Sequence, residues 1–246
     1  MKKHYLILAL ALMIAGLAEA QTNIQEMYDF NRKQMTTTLE MFKGDNWGST
    51  FFFVDIYHKL DQLTPTDFYT EIARSLNFWN GTALKDFSLH VEWNGGCGIY
   101  NLPIGYGGYP VNNAWLFGAE YFFHSADFNN TLTLEALYKN IRGGSSQVPM
   151  QFTAVWGLKD LFGLKGLVFS GFADFWWENI VWSDAEKNTT TVFITEPQLW
   201  YNIGQHFNCE NLFIGGEVEI SNNFTGNVGG VRGWQVNPAA GIKWNF

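Results

Sequence analysis

Cysteine, proline and charge are all scarce in this 246-residue chain, and each scarcity excludes a class of protein. Its two cysteines, Cys97 and Cys209, belong to no CxxC motif or Cys/His cluster with zinc spacing, so neither a disulfide scaffold nor a metal or cofactor is predicted. Six prolines beside 25 glycines exclude a collagen-like or low-complexity chain. Fifteen basic against 23 acidic residues, a net charge of -8, disfavour nucleic acid as a partner.

Long apolar runs are also scarce, and the longest lies at the N-terminus. Two lysines precede an apolar run over residues 5–17, and a small-x-small cleavage signal follows at 18–20. This order predicts a secretory signal peptide over residues 1–20, followed by one domain over residues 21–246. A membrane anchor is the alternative, but the run is shorter than the roughly 20 apolar residues that span a bilayer.

Aromatic residues, in contrast, make up 17% of the chain. At the C-terminus, aromatic and other apolar residues alternate with polar residues and glycine. With no second run long enough for a membrane-spanning helix, a membrane form of the chain has to be a closed β-barrel. One face of the last strand would carry Phe246, Trp244, Ile242 and Ala240, and the other Asn245, Lys243 and Gly241. This pattern resembles the final strand of bacterial outer-membrane barrels, which the barrel-assembly machinery reads as a signal; an ordinary edge strand is the alternative.

Segments with a period of two recur along the rest of the chain and predict an all-β fold: a single closed antiparallel transmembrane barrel. Twelve strands are expected, an even number as in single-chain bacterial barrels. The fourth could instead be a helix that begins at Thr66. Gly95 to Asn112, rich in glycine and without alternation, is expected to form a long loop. The predicted strands cover residues 24–30, 35–43, 49–58, 68–76, 87–94, 114–124, 131–140, 151–159, 167–177, 192–202, 212–222 and 236–246.

The alternation also predicts which side chains face the interior, because neighbours on a strand point to opposite sides of the sheet. In the third strand Asp55 should avoid lipid, so its face is inward; in the ninth strand the same holds for Asp174. We expect more inward carboxylates than cations, and therefore a polar channel wall rather than a packed apolar core. Cations and neutral solutes should then pass more readily than anions. The other expected inward residues are Thr38, Glu40, Phe51, Phe53, Tyr57, His90, Glu92, Glu120, Thr133, Glu135, Ser170, Phe172, Trp176, Glu196, Gln198, Trp200, Glu217 and Glu219, with Arg74, Lys139 and Lys243 as inward cations.

Several of these segments resemble the Tsx family of nucleoside-specific outer-membrane channels, which are twelve-stranded barrels. Residues 36–57 (TTTLEMFKGDNWGSTFFFVDIY) are similar to that family's strand pair with an acid, a turn and an aromatic run ending in Asp. Residues 166–178 (GLVFSGFADFWWE) resemble its Gly-Phe-x-x-Phe segment, and GWQVNPAAGIKWNF at the C-terminus resembles its closing strand.

The resemblance implies passive diffusion of nucleosides or similar small polar solutes across the bacterial outer membrane. In that family, lumen aromatics contact the base or sugar, and nearby polar groups form hydrogen bonds with it; stacking of this kind contributes about 1 to 3 kcal/mol per base. The matching positions here are Glu40, Phe51, Phe53, Asp55, Tyr57, Phe172, Asp174 and Trp176. The inward cation Arg74 completes the predicted substrate-binding set.

Other interpretations of the same residues remain open. Trp177, Trp182, Tyr201 and Trp244 fit the interfacial aromatic girdles of any outer-membrane barrel. Glu40 and Asp174 could pair with Arg74 or Lys139 as a structural network in the lumen, without contacting a solute. A structural barrel or one that hydrolyses lipids is the alternative function, with His58, His90, His124 and His206 as candidate bases, although no GxSxG motif is present. A soluble sugar-binding β-sandwich is a third possibility.

The two cysteines are expected at opposite rims, because an odd number of strands, the sixth to the tenth, separates them. We therefore expect two free thiols.

Overall fold

The computed structural model describes residues 21–59, 65–181, 187–224 and 232–246, and it is built almost entirely of β-strands. Two short 3₁₀ turns, Leu161–Gly163 and Ile203–Phe207, are the other regular elements in this part of the chain. None of its helices is long and apolar enough to cross a membrane. The strand segments are β1 (Gln21–Asp29), β2 (Gln34–Asp45), β3 (Gly48–Lys59), β4 (Pro65–Leu76), β5 (Phe87–Leu102), β6 (Gly105–His124), β7 (Asn130–Ile141), β8 (Met150–Lys159), β9 (Leu167–Val181), β10 (Lys187–Thr195), β11 (Gln198–Tyr201), β12 (Leu212–Asn222) and β13 (Trp234–Asn245).

These segments form one closed antiparallel barrel of twelve strands. Each strand pairs with its neighbour in sequence, and β1 closes the barrel against β13, with Asn23 opposite Asn245. Segments β10 and β11 are two parts of one barrel strand, because both pair with β9 and with β12. The ladder is interrupted at Pro197, which has no N–H to donate. Closure leaves no unpaired sheet edge in the barrel wall.

All twelve predicted strands are confirmed, including the fourth, which is a strand and not a helix. Alternation of apolar and polar residues over 9 to 11 positions is therefore sufficient to identify the strands of this chain. The reason is that each strand has one face toward the interior and one away from it.

The prediction of a loop from Gly95 to Asn112 is wrong. β5 and β6 continue through it as a tight hairpin, with Leu102 opposite Gly105. Pairing to β4 ends at Gly98, and pairing to β7 begins only at Ala114. Residues 99–112 therefore pair only across the hairpin and extend past the neighbouring strands. Glycines hide the alternation in the sequence, but their backbone N–H and C=O groups pair as in any strand.

The hairpin is anchored to its neighbour by a hydrogen bond from the Tyr109 hydroxyl to Asp67 Oδ1, 2.8 Å long. Gly98 makes this contact possible. A Cβ atom at that position would collide with both the Asp67 carboxylate and the Tyr109 ring.

The outward face of the barrel is apolar and half-exposed on most strands. Representative side chains on eight segments are between 43% and 54% exposed. The same face carries Trp177, Tyr201 and Trp244, as the girdle interpretation requires. The representative residues are Ile72, Leu89, Phe117, Leu134, Phe152, Leu199, Ile214 and Ile242.

The interior is more densely filled than the expected open polar wall. Three clusters of buried apolar side chains project inward, and Trp200, with no exposed surface, is the largest fully buried residue. The prediction that the lumen lacks apolar packing is therefore wrong in part: polar and apolar patches alternate within it. The clusters are Trp176, Ile180, Val192 and Ile194; Met27, Trp200 and Phe213; and Ala114, Leu116 and Leu137.

The two cysteines lie at opposite ends of the barrel, as expected, and both are free thiols. Cys209 follows the second 3₁₀ turn at the rim where β1 begins and β13 ends, which we call the terminal rim. Cys97 lies near the opposite rim, where it pairs with Pro110 across the long hairpin. The predicted signal peptide over residues 1–20, and Trp182, lie outside the described residues.

Candidate functional site

A cavity of about 160 Å³ lies inside the barrel. Six of the nine predicted substrate-binding residues line it: Phe53, Asp55 and Tyr57 from β3, and Phe172, Asp174 and Trp176 from β9. Strands β3 and β9 are far apart in sequence and belong to different parts of the barrel wall. The closed sheet brings their inward faces to one cavity.

The cavity wall is strongly acidic. Its described lining residues include seven carboxylates and a single basic side chain, Lys139. Six of the carboxylates project from the inward face of a strand and Glu196 lies between β10 and β11, so the excess of acidic side chains is a property of the interior. The carboxylates belong to Asp55, Asp67, Glu71, Asp174, Glu178, Glu196 and Glu219.

Most of these carboxylates accept hydrogen bonds from neutral donors two residues away on the same strand. The Tyr69 hydroxyl donates to Glu71 Oε1 at 2.7 Å, and Trp176 Nε1 donates to Glu178 Oε2 at 3.2 Å. Residues two apart share a face of a strand, so these bonds follow directly from the strand period. They fix the carboxylates in position and bring no positive charge to them.

Bonds between strands hold the two predicted aspartates. Thr38 donates to Asp55 Oδ1, and Thr153 to Asp174 Oδ1, both at 2.6 Å. The alternative in which Asp174 pairs with a basic side chain is thus replaced by a bond to a neutral hydroxyl. Lys139 instead donates to Gln151 Oε1 at 2.6 Å.

Two predicted residues lie inside the barrel but away from the cavity. Phe51 contacts Phe53, with ring centroids 6.0 Å apart, on the same inward face. Glu40 accepts a hydrogen bond from Asn23 Nδ2 at 2.9 Å.

The prediction that Arg74 is an inward cation is wrong. In β4 the inward face carries Tyr69 and Glu71, and alternation from Glu71 places Arg74 on the outward face. Its guanidinium forms two hydrogen bonds with the Asp45 carboxylate at the terminal rim, 2.6 and 2.8 Å long. Asp45 at the end of β2 is a nearer partner than any group in the lumen.

Sequence reasoning missed several interior residues, among them Arg32, Tyr69, Glu71 and Glu178. Arg32, from the turn after β1, forms an ion pair with Glu219 at 2.6 Å. Glu178 continues the inward series of β9 one step of two beyond the predicted end at residue 177, so a longer strand would have found it. Tyr69 and Glu71 lie within the predicted fourth strand, but the inward assignment of Arg74 put them on the opposite face. Arg32 has no such signal, because turns carry no period.

Among the described residues, His58 and His124 form no relay of nucleophile, base and acid. On the outward face, Thr37 Oγ1 and Glu26 Oε1 lie 3.1 and 3.3 Å from His58, and both approach the same ring nitrogen, Nε2. A relay needs the acid on the other nitrogen. His124 Nδ1 lies 2.9 Å from the backbone oxygen of Ser125, not from a hydroxyl.

A family model described as a domain of unknown function, DUF5020, matches residues 21–246. The chain belongs to the DUF5020 family. The match covers the whole described barrel, so the cavity and its acidic wall are features of a DUF5020 domain. No curated protein matches the chain.

Among solved structures, this DUF5020 chain is similar to the NanC porin, with 7% identity and a TM-score of 0.53 over 92% of this chain and 100% of that one. At this identity the likeness concerns the fold. A Rh. blastica porin mutant gives 8% identity and a TM-score of 0.32, over 92% of this chain and 98% of the porin. P. aeruginosa FpvA bound to heterologous pyoverdines gives 12% identity and a TM-score of 0.35, over 86% of this chain and 33% of FpvA.

The size of the DUF5020 cavity limits what it holds without rearrangement. Pockets for drug-sized ligands measure about 300 to 1,000 Å³. A volume near 160 Å³ accommodates water molecules and small ions directly. A larger solute would have to displace side chains of the lining.

Proposed function

We propose that this protein is a bacterial outer-membrane barrel that acts as a narrow passive channel for small solutes. The observation that carries the proposal is the contrast between the two faces of one closed sheet. Half-exposed apolar side chains cover the outside, and a carboxylate-rich cavity lies inside. Membrane barrels of this kind have an apolar outer band and a polar interior.

The charge of the cavity favours cations and neutral solutes over anions. Seven carboxylates face one lysine among the described lining residues, and rings of acidic side chains select cations in other channels. Because the carboxylates are held mostly by neutral donors, their charge remains available to a permeating ion.

Nucleosides or similar small polar solutes are the proposed organic permeants. This part of the proposal comes from the resemblance to Tsx channels. It is supported by four aromatic rings, those of Phe53, Tyr57, Phe172 and Trp176, around one cavity with Asp55 and Asp174. Stacking tolerates different bases, and the small number of contacts keeps binding weak enough for release.

Outer-membrane lipid is the proposed environment of the apolar outer face. The barrel-assembly machinery is the proposed partner of the strand that ends at Phe246. Neither proposal requires a cofactor.

The experiment that tests the channel is single-channel recording of the refolded barrel in planar bilayers. We expect small conductance steps and, in a KCl gradient, a reversal potential that reports preference for K⁺ over Cl⁻. Adenosine and thymidine should block the current saturably, and a sugar of matched size should not. A stably inserted barrel without conductance would contradict the channel; conductance without block by nucleosides would contradict only the choice of permeant.

A further inference from the structure

A second polar group lies inside the barrel, at the terminal rim side of the cavity, and the channel proposal does not use it. It consists of His90 on β5, Glu120 on β6 and Glu135 on β7. Ligand atoms of the three residues, His90 Nδ1 and one carboxylate oxygen from each glutamate, all lie within 4.8 Å of one another. We infer that these three residues form a binding site for a divalent first-row transition metal ion.

The two glutamates create the need for a cation. Glu120 and Glu135 are directly opposite each other in the β6–β7 ladder, and their side chains are only 10% and 8% exposed. Like charges directly opposite on neighbouring strands destabilise a sheet, and burial increases the cost of each charge. A bound cation between the carboxylates removes both penalties.

Glu135 is also without a hydrogen-bond donor among the described residues. Its ion-pair contact among the described residues is with His90 Nδ1, and at 3.9 Å this is too long for a hydrogen bond. A carboxylate that is more than nine-tenths buried ordinarily accepts several hydrogen bonds. The side chain therefore points at His90 and Glu120 with its coordination capacity unused.

His90 is held in the orientation that a metal ligand needs. Its Nδ1 atom lies 2.7 Å from Glu120 Oε2, and its Nε2 atom lies 3.2 Å from Glu92 Oε2. A carboxylate on the far nitrogen of an imidazole is the usual outer-shell partner of a ligating histidine. Asn94, which lines the cavity, donates to Glu92 at 3.3 Å and connects this partner to the channel interior.

The donor set indicates the class of metal. One imidazole nitrogen with two carboxylates suits Zn²⁺ and its first-row neighbours, whereas Ca²⁺ prefers six to eight oxygen ligands. Solvent would complete the coordination. The ion would replace the proton that now bridges His90 Nδ1 and Glu120, because a ligating nitrogen is unprotonated.

The test is isothermal titration of Zn²⁺, and separately of Ca²⁺, into the refolded full-length barrel in detergent. We expect one Zn²⁺ site per chain that binds more tightly than Ca²⁺. His90→Gln and Glu135→Gln should abolish it. Glu92→Gln should weaken it by about 10- to 100-fold, the usual effect of an outer-shell change.

Glu217→Gln is the matched control, because it removes an inward carboxylate that is bound by Gln198 Nε2 at 2.9 Å and lies outside the cluster. Zn²⁺ affinity should be unchanged in this variant. Absence of a Zn²⁺ site in the native barrel, or a site that survives His90→Gln, would overturn the inference, and so would equal affinity for Ca²⁺. The circular dichroism spectrum shows whether each variant folds. If a ligand variant does not fold, the Zn²⁺ affinity of Glu92→Gln serves as the test. Unchanged affinity in that variant would overturn the inference. No bilayer current is measured, so the outcome is independent of the channel proposal.

Discussion

The ammonium group of Lys139 lies 3.8 Å from the centroid of the Trp176 indole ring. The same nitrogen donates to Gln151 Oε1, so the charge is held by a ring face and a neutral amide rather than by a carboxylate. Among the described residues of the cavity wall, Lys139 is the single cation facing seven acids. Its position therefore bears directly on the ion preference of the proposed channel.

Replacing Lys139 by methionine should make the channel more selective for cations. The change removes the positive charge from the cavity wall and keeps the length of the side chain. The reversal potential in a KCl gradient should shift toward that of K⁺. Lys243→Met is the control, because the Lys243 ammonium group also lies over an aromatic ring, Trp200 at 4.4 Å, but does not line the cavity. Equal shifts in the two variants would argue against a cavity that controls permeation.

Phe53→Ala should weaken block of the current by adenosine, and Phe51→Ala should not. Both rings project from the same face of β3 and contact each other, but Phe53 alone lines the cavity. Loss of one stacking surface of about 1 to 3 kcal/mol corresponds to a roughly 5- to 150-fold higher blocking concentration. The measurement is the concentration of adenosine that halves the open-channel current. If both variants respond alike, the cavity is not the nucleoside site.

Trp200→Ala should destabilise the barrel far more than Trp244→Ala. Trp200 has no exposed surface and packs against Met27 and Phe213, whereas Trp244 faces outward and is 39% exposed. Removal of a buried Trp costs about 3 to 5 kcal/mol of unfolding free energy. Urea unfolding in lipid vesicles, followed by the fluorescence of the remaining tryptophans, measures the free energy of unfolding of each variant. Similar losses for the two variants would mean that the interior is not packed as described.

Arg74→Gln should leave conductance, ion preference and nucleoside block unchanged. The guanidinium lies on the outward face and is bound by Asp45, so it contributes no charge to the lumen. An exposed ion pair of this kind contributes about 0 to 1 kcal/mol to stability. A double-mutant cycle with Asp45→Asn measures that contribution. A change in ion preference would indicate that Arg74 faces the lumen, and would contradict the assignment of inward and outward faces in β4.

The arginine also shows where sequence reasoning failed although the information was present. Alternation along β4 puts Glu71 inward and Arg74 outward, but a general expectation that ionised side chains avoid lipid favoured the inward face. The exception is possible because Arg74 lies close to the terminal rim, where Asp45 is within reach. A rule based on the cost of burying charge in lipid weakens near the ends of strands.

The prediction of a loop from Gly95 to Asn112 was wrong for a different reason. Its pairing is carried by backbone groups, with Gly107 opposite Tyr100 and Gly105 opposite Leu102. Side-chain alternation is the main strand signal that a sequence offers, and glycines do not contribute to it. The extension of the hairpin depends on the registry between two strands and on the contact of Tyr109 with Asp67, which is distant in sequence.

The sequence by itself determined the twelve strands and the face of most side chains. Each of these follows from a period of two that is local to the chain. The tertiary structure alone decided that Phe53 and Trp176 share a cavity, that apolar clusters fill much of the lumen, and that Glu120 and Glu135 stand opposite each other beside His90. Those contacts depend on the register between strands and on closure of the barrel, which are set by pairing between distant residues.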